Sequence, residues 1–256
     1  MREKFHQSDM EGWAIAWSRS AMYSRFWINP PSGHQKDWIP CAQPHIREDW
    51  MNSMAQHTSH ASINDPEVLP TPETVVLDAN IFPSTWLTDL FLSLAEHTGL
   101  LEIIYSDTIL EESRRAMIDD LGFAAHWVDR YLSSIQMGFP YSRVVPDPDT
   151  MHRIVLPDPD DSHVVAAAVA AGASTIVTYN LADFPESELA PYAVKALHPD
   201  RVLTKILCNH TKPVADVLRE IVSSKTRPPR TMPEELEQLH RLGLHSFVEA
   251  AAPHVL

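Results

Sequence analysis

The chain has 256 residues, 44% of them hydrophobic, with 34 acidic against 20 basic side chains and a net charge of −14. That length suits one large domain or one domain with appendages. No apolar run reaches the roughly 20 residues a membrane-spanning helix needs, and the polar opening Met1–Met10 has no secretory core behind it. Two cysteines, Cys41 and Cys208, exclude a disulfide framework and a cysteine metal site, and the expected setting is cytoplasmic.

Residues 1–73 read unlike the rest. They hold five of the seven tryptophans (Trp13, Trp17, Trp27, Trp38 and Trp50), a Pro-rich stretch from Pro66 to Pro72, and no sustained period beyond a short helix at Trp13–Tyr23. The expectation is a poorly ordered N-terminal extension or a mis-assigned start, with Met51 and Met54 as alternative first residues.

From residue 74 the pattern sharpens. Val75–Ala79 reads as a buried strand, and Thr85–His97, with Leu87, Leu90, Phe91 and Leu94 on one face, as an amphipathic helix. Glu102–Tyr105 reads as a strand. Ser106 is a suitable N-cap for a helix reaching about Asp120, and Ala124–Met137 is a further helix. Ile154–Leu156 is short and extended. Asp161 opens an Ala/Val-rich helix, Val164–Ala171, which Gly172 ends; strands follow at Thr175–Tyr179 and Val194–Leu197. Strands alternating with helices imply a three-layer α/β/α domain with a mostly parallel central sheet, whose sites form at the carboxyl ends of strands. The tail, Pro199–His210, Pro213–Ser223, Pro233–Arg241 and Leu244–Ala251, reads as an all-helical C-terminal appendage. The expected division is 1–73, 74–199 and 200–256.

Residues 74–199 carry 18 of the 34 acidic side chains and only 6 basic ones. Four stretches place acids or amides where a sheet would gather them: Asp78 and Asn80 after the first strand, Glu111 and Glu112 on a helix, Asp158, Asp160 and Asp161 before another, and Asn180 and Asp183 after a strand. Taken singly, each has a structural explanation. Asp78, Asn80 and Asp183 could cap turns or helices, Glu111 pairs with Arg115 at i,i+4, and His163 could be a hydrogen-bonded bystander. Three acids within four positions exceed what capping one helix requires, and their mutual repulsion favours a bound cation. Hard divalent ions such as Mg²⁺ take oxygen ligands of this kind. The basic candidates for phosphate contact are Arg114, Arg115, Arg143, Arg153 and the loop carrying Lys225, Arg227 and Arg230.

In order and spacing these stretches resemble the PIN-domain nucleases, and among them the VapC-type toxins with a helical C-terminal extension. Leu77-Asp78-Ala79-Asn80 looks like the first acidic motif, Ser106 to Glu112 like the second, Leu156 to His163 like the third and Thr178 to Phe184 like the fourth. The resemblance implies an endoribonuclease dependent on Mg²⁺ or Mn²⁺. In it Asp78, Glu112 and Asp161 hold the metal, with Asp160 as the alternative to Asp161, and Asn180 and Asp183 place a second metal or the attacking water. It also implies a toxin–antitoxin pair, with a cognate antitoxin as partner, and a homodimer. One departure is Asn180, where many PIN domains have Asp; an amide supplies oxygen but no charge. The rival reading is a catalytically inactive PIN-like module that binds RNA or protein. A haloacid-dehalogenase-like phosphohydrolase would need a second Asp where Asn80 stands, and a dinucleotide-binding enzyme would need a G-x-G that is absent.

Overall fold

The computed structural model describes residues 71–226 and 229–256. The expectations for residues 1–70, the Trp13–Tyr23 helix among them, lie outside the described residues. Glu73, assigned above to the extension, is the first residue of strand β1 (Glu73–Leu77).

Val75, Val76 and Leu77 of β1 are fully buried, as a central strand covered on both faces requires. Helix α1 (Thr85–Thr98) follows; the Ser84 hydroxyl accepts from the Leu87 N–H and Gly99, at φ 63°, ends it in the left-handed conformation. Strand β2 (Leu101–Ser106) runs into α2 (Asp107–Arg115), capped by the Ser106 hydroxyl, which accepts from the Ile109 N–H at 3.2 Å. A π-helical turn, Ala116–Asp120, extends α2 before α3 (Ala125–Gly138). Next come β3 (Arg143–Val144), α4 (Pro148–Arg153), α5 (Ser162–Ala171), β4 (Thr175–Val177), α6 (Glu186–Leu189) and β5 (Lys195–Leu197).

Among the described residues all pairs between named strands are parallel, in the order β3-β2-β1-β4-β5. The chain builds outward from β1 through β2 to β3, then crosses back to place β4 and β5 on the other side. The order therefore reverses between β1 and β4, and the carboxyl end of that pair is where a ligand crevice forms in such sheets. The fold is the expected three-layer parallel α/β arrangement with helices following.

Two local details differ from the sequence reading. Ile154–Leu156 has Ile154 and Leu156 buried and Val155 exposed, but among the described residues it pairs with no strand. The edge strand beside β2 is β3, whose two residues carry no period to read. Helix α4 also escapes the sequence reading; none of its six residues is fully buried, and Met151, packed half-buried against the core, is too little to make an apolar period.

The C-terminal helices are α7 (Pro199–Asn209), α8 (Thr211–Ser224), α9 (Met232–Arg241) and α10 (His245–Val255). Asp200 caps α10 from a distance: its carboxylate accepts from Ser246 N–H at 3.2 Å and Phe247 N–H at 2.8 Å. Helices α8 and α9 pack on α1, and Val214, Leu218, Leu239 and Phe247 belong to the same buried cluster as Phe91 and Leu94. The helical tail thus shares one core with the sheet domain. Among the described residues, no helix is long and apolar enough to cross a membrane.

Candidate active site

The site forms at the carboxyl end of β1 and β4. Asp78 directly follows β1 and donates its N–H to Val177 O at 3.1 Å, so the β1–β4 pairing carries one residue beyond the strand. Its side chain is 5% exposed. Oδ1 accepts from Ala79 N–H at 2.7 Å; Oδ2 accepts from Asn80 Nδ2 at 2.7 Å and Thr178 Oγ1 at 2.6 Å. Two acceptances fill Oδ2, leaving Oδ1 with capacity for a ligand. Burial raises the Asp78 pKa above the usual carboxylate value, against the lowering effect of the Thr178 and Ala79 hydrogen bonds; Glu112 adds to the rise and His163 opposes it.

Thr178 is the junction of this end of the sheet. Fully buried, its hydroxyl donates to Asp78 and accepts from Asn80 Nδ2 and Asn180 N–H, each at 2.9 Å. Asn80 in turn accepts from Tyr179 N–H at 3.3 Å. The first and fourth acidic stretches are thereby held to one hydroxyl whose bonding capacity is complete.

Glu112 projects from α2 and meets His163, in the first turn of α5: His163 Nε2 and Glu112 Oε1 are 2.9 Å apart. Asp161 ends the 3₁₀ turn Pro159–Asp161 that leads into α5. Its pKa is pushed up to about 6, first by partial burial and then by the charges of Asp78, Asp158, Asp183 and Glu112. Carboxylates from four separate stretches therefore act on one another. Asn180 Nδ2 is hydrogen-bonded to Asp183 Oδ2.

Of the residues expected in the site, the structure brings Asp78, Glu112, Asp161 and Asp183 into one electrostatic neighbourhood, with Asn180 bound to Asp183. Asp160 does not join them: it is exposed, and its N–H donates to Asp158 Oδ1 at 2.9 Å. Asp158, which caps that turn, contributes to the field on Asp161 instead.

The expected phosphate contacts divide. Arg114 and Arg115 stay at the surface, paired with Asp129 at 2.7 Å and Glu111 at 3.5 Å. Lys225 and Arg230 correct the sequence reading. Lys225 is 7% exposed and 2.6 Å from buried Asp89 on α1. Arg230 lies 2.5 Å from buried Glu235 and 3.2 Å over the Trp86 ring. Lys225 fastens the α8–α9 loop to α1 through Asp89, and Arg230 does so by lying over Trp86 while Glu235 of α9 supplies the counter-charge that burying a cation requires. Arg227 lies outside the described residues.

Two further residues belong to the site. Thr178 does not stand out in the sequence, although a hydroxyl immediately after a buried strand opposite Asp78 is a usable signal. His163 reads there as a bystander; nothing in the sequence pairs it with a residue 51 positions away.

Among the described residues, no group of three or more His, Cys, Asp or Glu side chains is already closed around a point where an ion would sit. Mg²⁺ does not demand such a cage, since it keeps several waters and binds through one or two carboxylates. The donors here are hard oxygens, and two of the carboxylates are raised in pKa by burial and by neighbouring acids. A divalent cation fits that set.

A parallel α/β sheet with acids gathered at its reversal point is the arrangement of the PIN domain, and residues 74–182 match the PIN domain family. Residues 199–253 match the VapC50 C-terminal domain family. Residues 74–182 are thus a PIN domain, followed by a region that matches the C-terminal domain of VapC50. It is 42% identical over 79 residues to a Mycobacterium tuberculosis protein named "Putative ribonuclease VapC50", a match covering 31% of this chain and 47% of that relative. The chain thus spans about half the length of the curated relative it matches. No solved structure matches.

Proposed function

We propose that this protein is a metal-dependent endoribonuclease and the toxin of a toxin–antitoxin pair, held inactive by a protein antitoxin and acting as a homodimer in the cytoplasm. The observation that carries the catalytic part is the convergence of Asp78, Glu112 and Asp183 on Asp161, at the carboxyl end of the sheet, where Thr178 ties Asp78 to the loop that carries Asn180. The name of the M. tuberculosis relative, a putative ribonuclease, supports RNA as substrate, and the resemblance to VapC-type proteins supports the toxin role.

Asp78, Glu112 and Asp161 would hold Mg²⁺ or Mn²⁺. Bound there, the ion would lower the pKa of its water and neutralise charge building on the phosphate. The chain's own residues do the rest. Thr178 and Asn80 fix Asp78 through Oδ2. Asn180 and Asp183, hydrogen-bonded to each other, orient the attacking water. Water adds to phosphorus in line, the P–O3′ bond breaks and the departing oxygen takes a proton, leaving a 3′-hydroxyl and a 5′-phosphate. Arg114 and Arg115, on the same helix as Glu112, are in exposed ion pairs weak enough to exchange for phosphate.

The test is cleavage of total RNA by the purified chain with Mg²⁺, with Mn²⁺ and with EDTA, beside Asp78→Asn. Cutting that needs metal and is lost in the variant supports the proposal. A purified chain, free of any co-purifying protein, that cuts no RNA with either metal would instead favour the non-catalytic PIN-like binding module.

A further inference from the structure

We propose that His163 is a positioning residue for the cation site, acting through Glu112; this rests on the nuclease reading above. His163 is 3% exposed, in the first turn of α5, and its neighbours Val164, Val165 and Ala166 are buried and apolar. Nε2 stands 2.9 Å from Glu112 Oε1. Among the described residues Nδ1 is buried and makes no hydrogen bond. The ring therefore directs its single hydrogen bond at Glu112. With Glu112 Oε1 as the acceptor, the ring nitrogen that donates is Nε2.

Glu112 needs such an anchor. Its side chain is 31% exposed, and among the described residues its carboxylate has no hydrogen-bond partner besides His163. Fixing Oε1 leaves Oε2 without a hydrogen bond among the described residues, and the carboxylate remains near enough to Asp78 and Asp161 for its charge to act on both. A ligating carboxylate held by a neighbouring donor is pre-organised for the ion, and losing such a donor typically costs about 10–100-fold in metal affinity.

The experiment measures Mn²⁺ binding to the full chain by electron paramagnetic resonance, with folding followed by circular dichroism. His163→Gln keeps an amide donor at about the reach of Nε2. His163→Asn keeps the amide but is a methylene too short. The Asn variant is expected to bind Mn²⁺ about 10–100-fold more weakly than wild type, and the Gln variant to recover most of that loss. In a Glu112→Gln background, His163→Asn should change nothing further. Unchanged affinity in a folded Asn variant, equal losses in the Asn and Gln variants, or additive losses with Glu112→Gln would overturn the proposal. A wild-type chain that binds no Mn²⁺ would remove the nuclease reading and this inference with it. Should the Asn variant not fold, Mg²⁺ titration of wild type followed by imidazole ¹⁵N resonances decides. The His163 Nε2–H signal moves as the site fills, and an unmoved signal in metal-bound protein overturns the role.

Discussion

Thr178 Oγ1 donates a 2.6 Å hydrogen bond to Asp78 Oδ2 across 100 residues of chain, at the point where the strand order reverses. That bond fixes the carboxylate most deeply buried in the site and, through Asn80 and the Asn180 N–H, ties it to the loop after β4. Replacing Thr178 with Val keeps the volume but leaves buried polar groups unmatched. The variant should lose about 1–3 kcal/mol of stability, measured by urea denaturation, and bind Mn²⁺ more weakly. A variant as stable as wild type would show that the hydroxyl is dispensable.

Asp78→Asn retains the shape and one oxygen but removes the charge. Cleavage should fall by more than about 100-fold, beyond the usual loss for a supporting partner, with the circular dichroism spectrum unchanged. Single-turnover assays on an RNA that the wild type cuts will measure it, and full activity in the folded variant would sink the nuclease assignment.

The raised pKa of Asp161 predicts a pH dependence of stability. Its native value of about 6 exceeds the ordinary 3.8 of an unfolded chain, so the native state holds the proton more tightly. Between those values stability falls as pH rises. Asp161→Asn lacks this titration. Wild type should therefore lose stability relative to the variant from about pH 4 to about pH 6.5 and change little beyond. Mg²⁺ should raise the wild-type melting temperature more at pH 7.5 than at pH 4.5, since it favours the ionised cluster. Equal Mg²⁺ effects at both values would contradict this.

The C-terminal helices are fastened to α1 by charge as well as by apolar packing. Lys225→Met would leave Asp89 buried beside an apolar side chain, and breaking a buried pair in this way costs about 3–5 kcal/mol. Denaturant unfolding should show that loss, with much of it recovered in the Asp89→Leu/Lys225→Met double variant, which leaves neither charge unpaired. A single variant within error of wild type would mean that the pair is not buried in solution.

RNA binding should depend on Arg114 and Arg115 and not on the buried Lys225 and Arg230. Changing both surface arginines to Gln should flatten the plot of log affinity against log salt by about 0.7 for each phosphate no longer neutralised. Fluorescence anisotropy on the uncleaved RNA with Asp78→Asn as the parent separates binding from cutting; an unchanged slope would move the RNA track elsewhere.

Much of the fold is legible in the sequence because its determinants are local. The unbroken apolar run of β1, the 3.6-residue spacing of α1, Ser106 before α2 and Gly172 after α5 each fix backbone within a few residues. Those elements also place Asp78 and Asn180 after strands, Asp161 at a helix start and Glu112 within α2, so the order of the acidic stretches can be read directly. What only the tertiary structure decided is which side chains meet. Glu112 finds His163 51 positions away, Asp78 finds Thr178 at 100, and Lys225 turns inward to Asp89 while Arg115, equally basic in sequence, stays at the surface. Periodicity assigns a residue to a face of its own helix or strand. Its partner is set by how those elements cross, and for a charge that crossing decides between water, a counter-ion and a cation site.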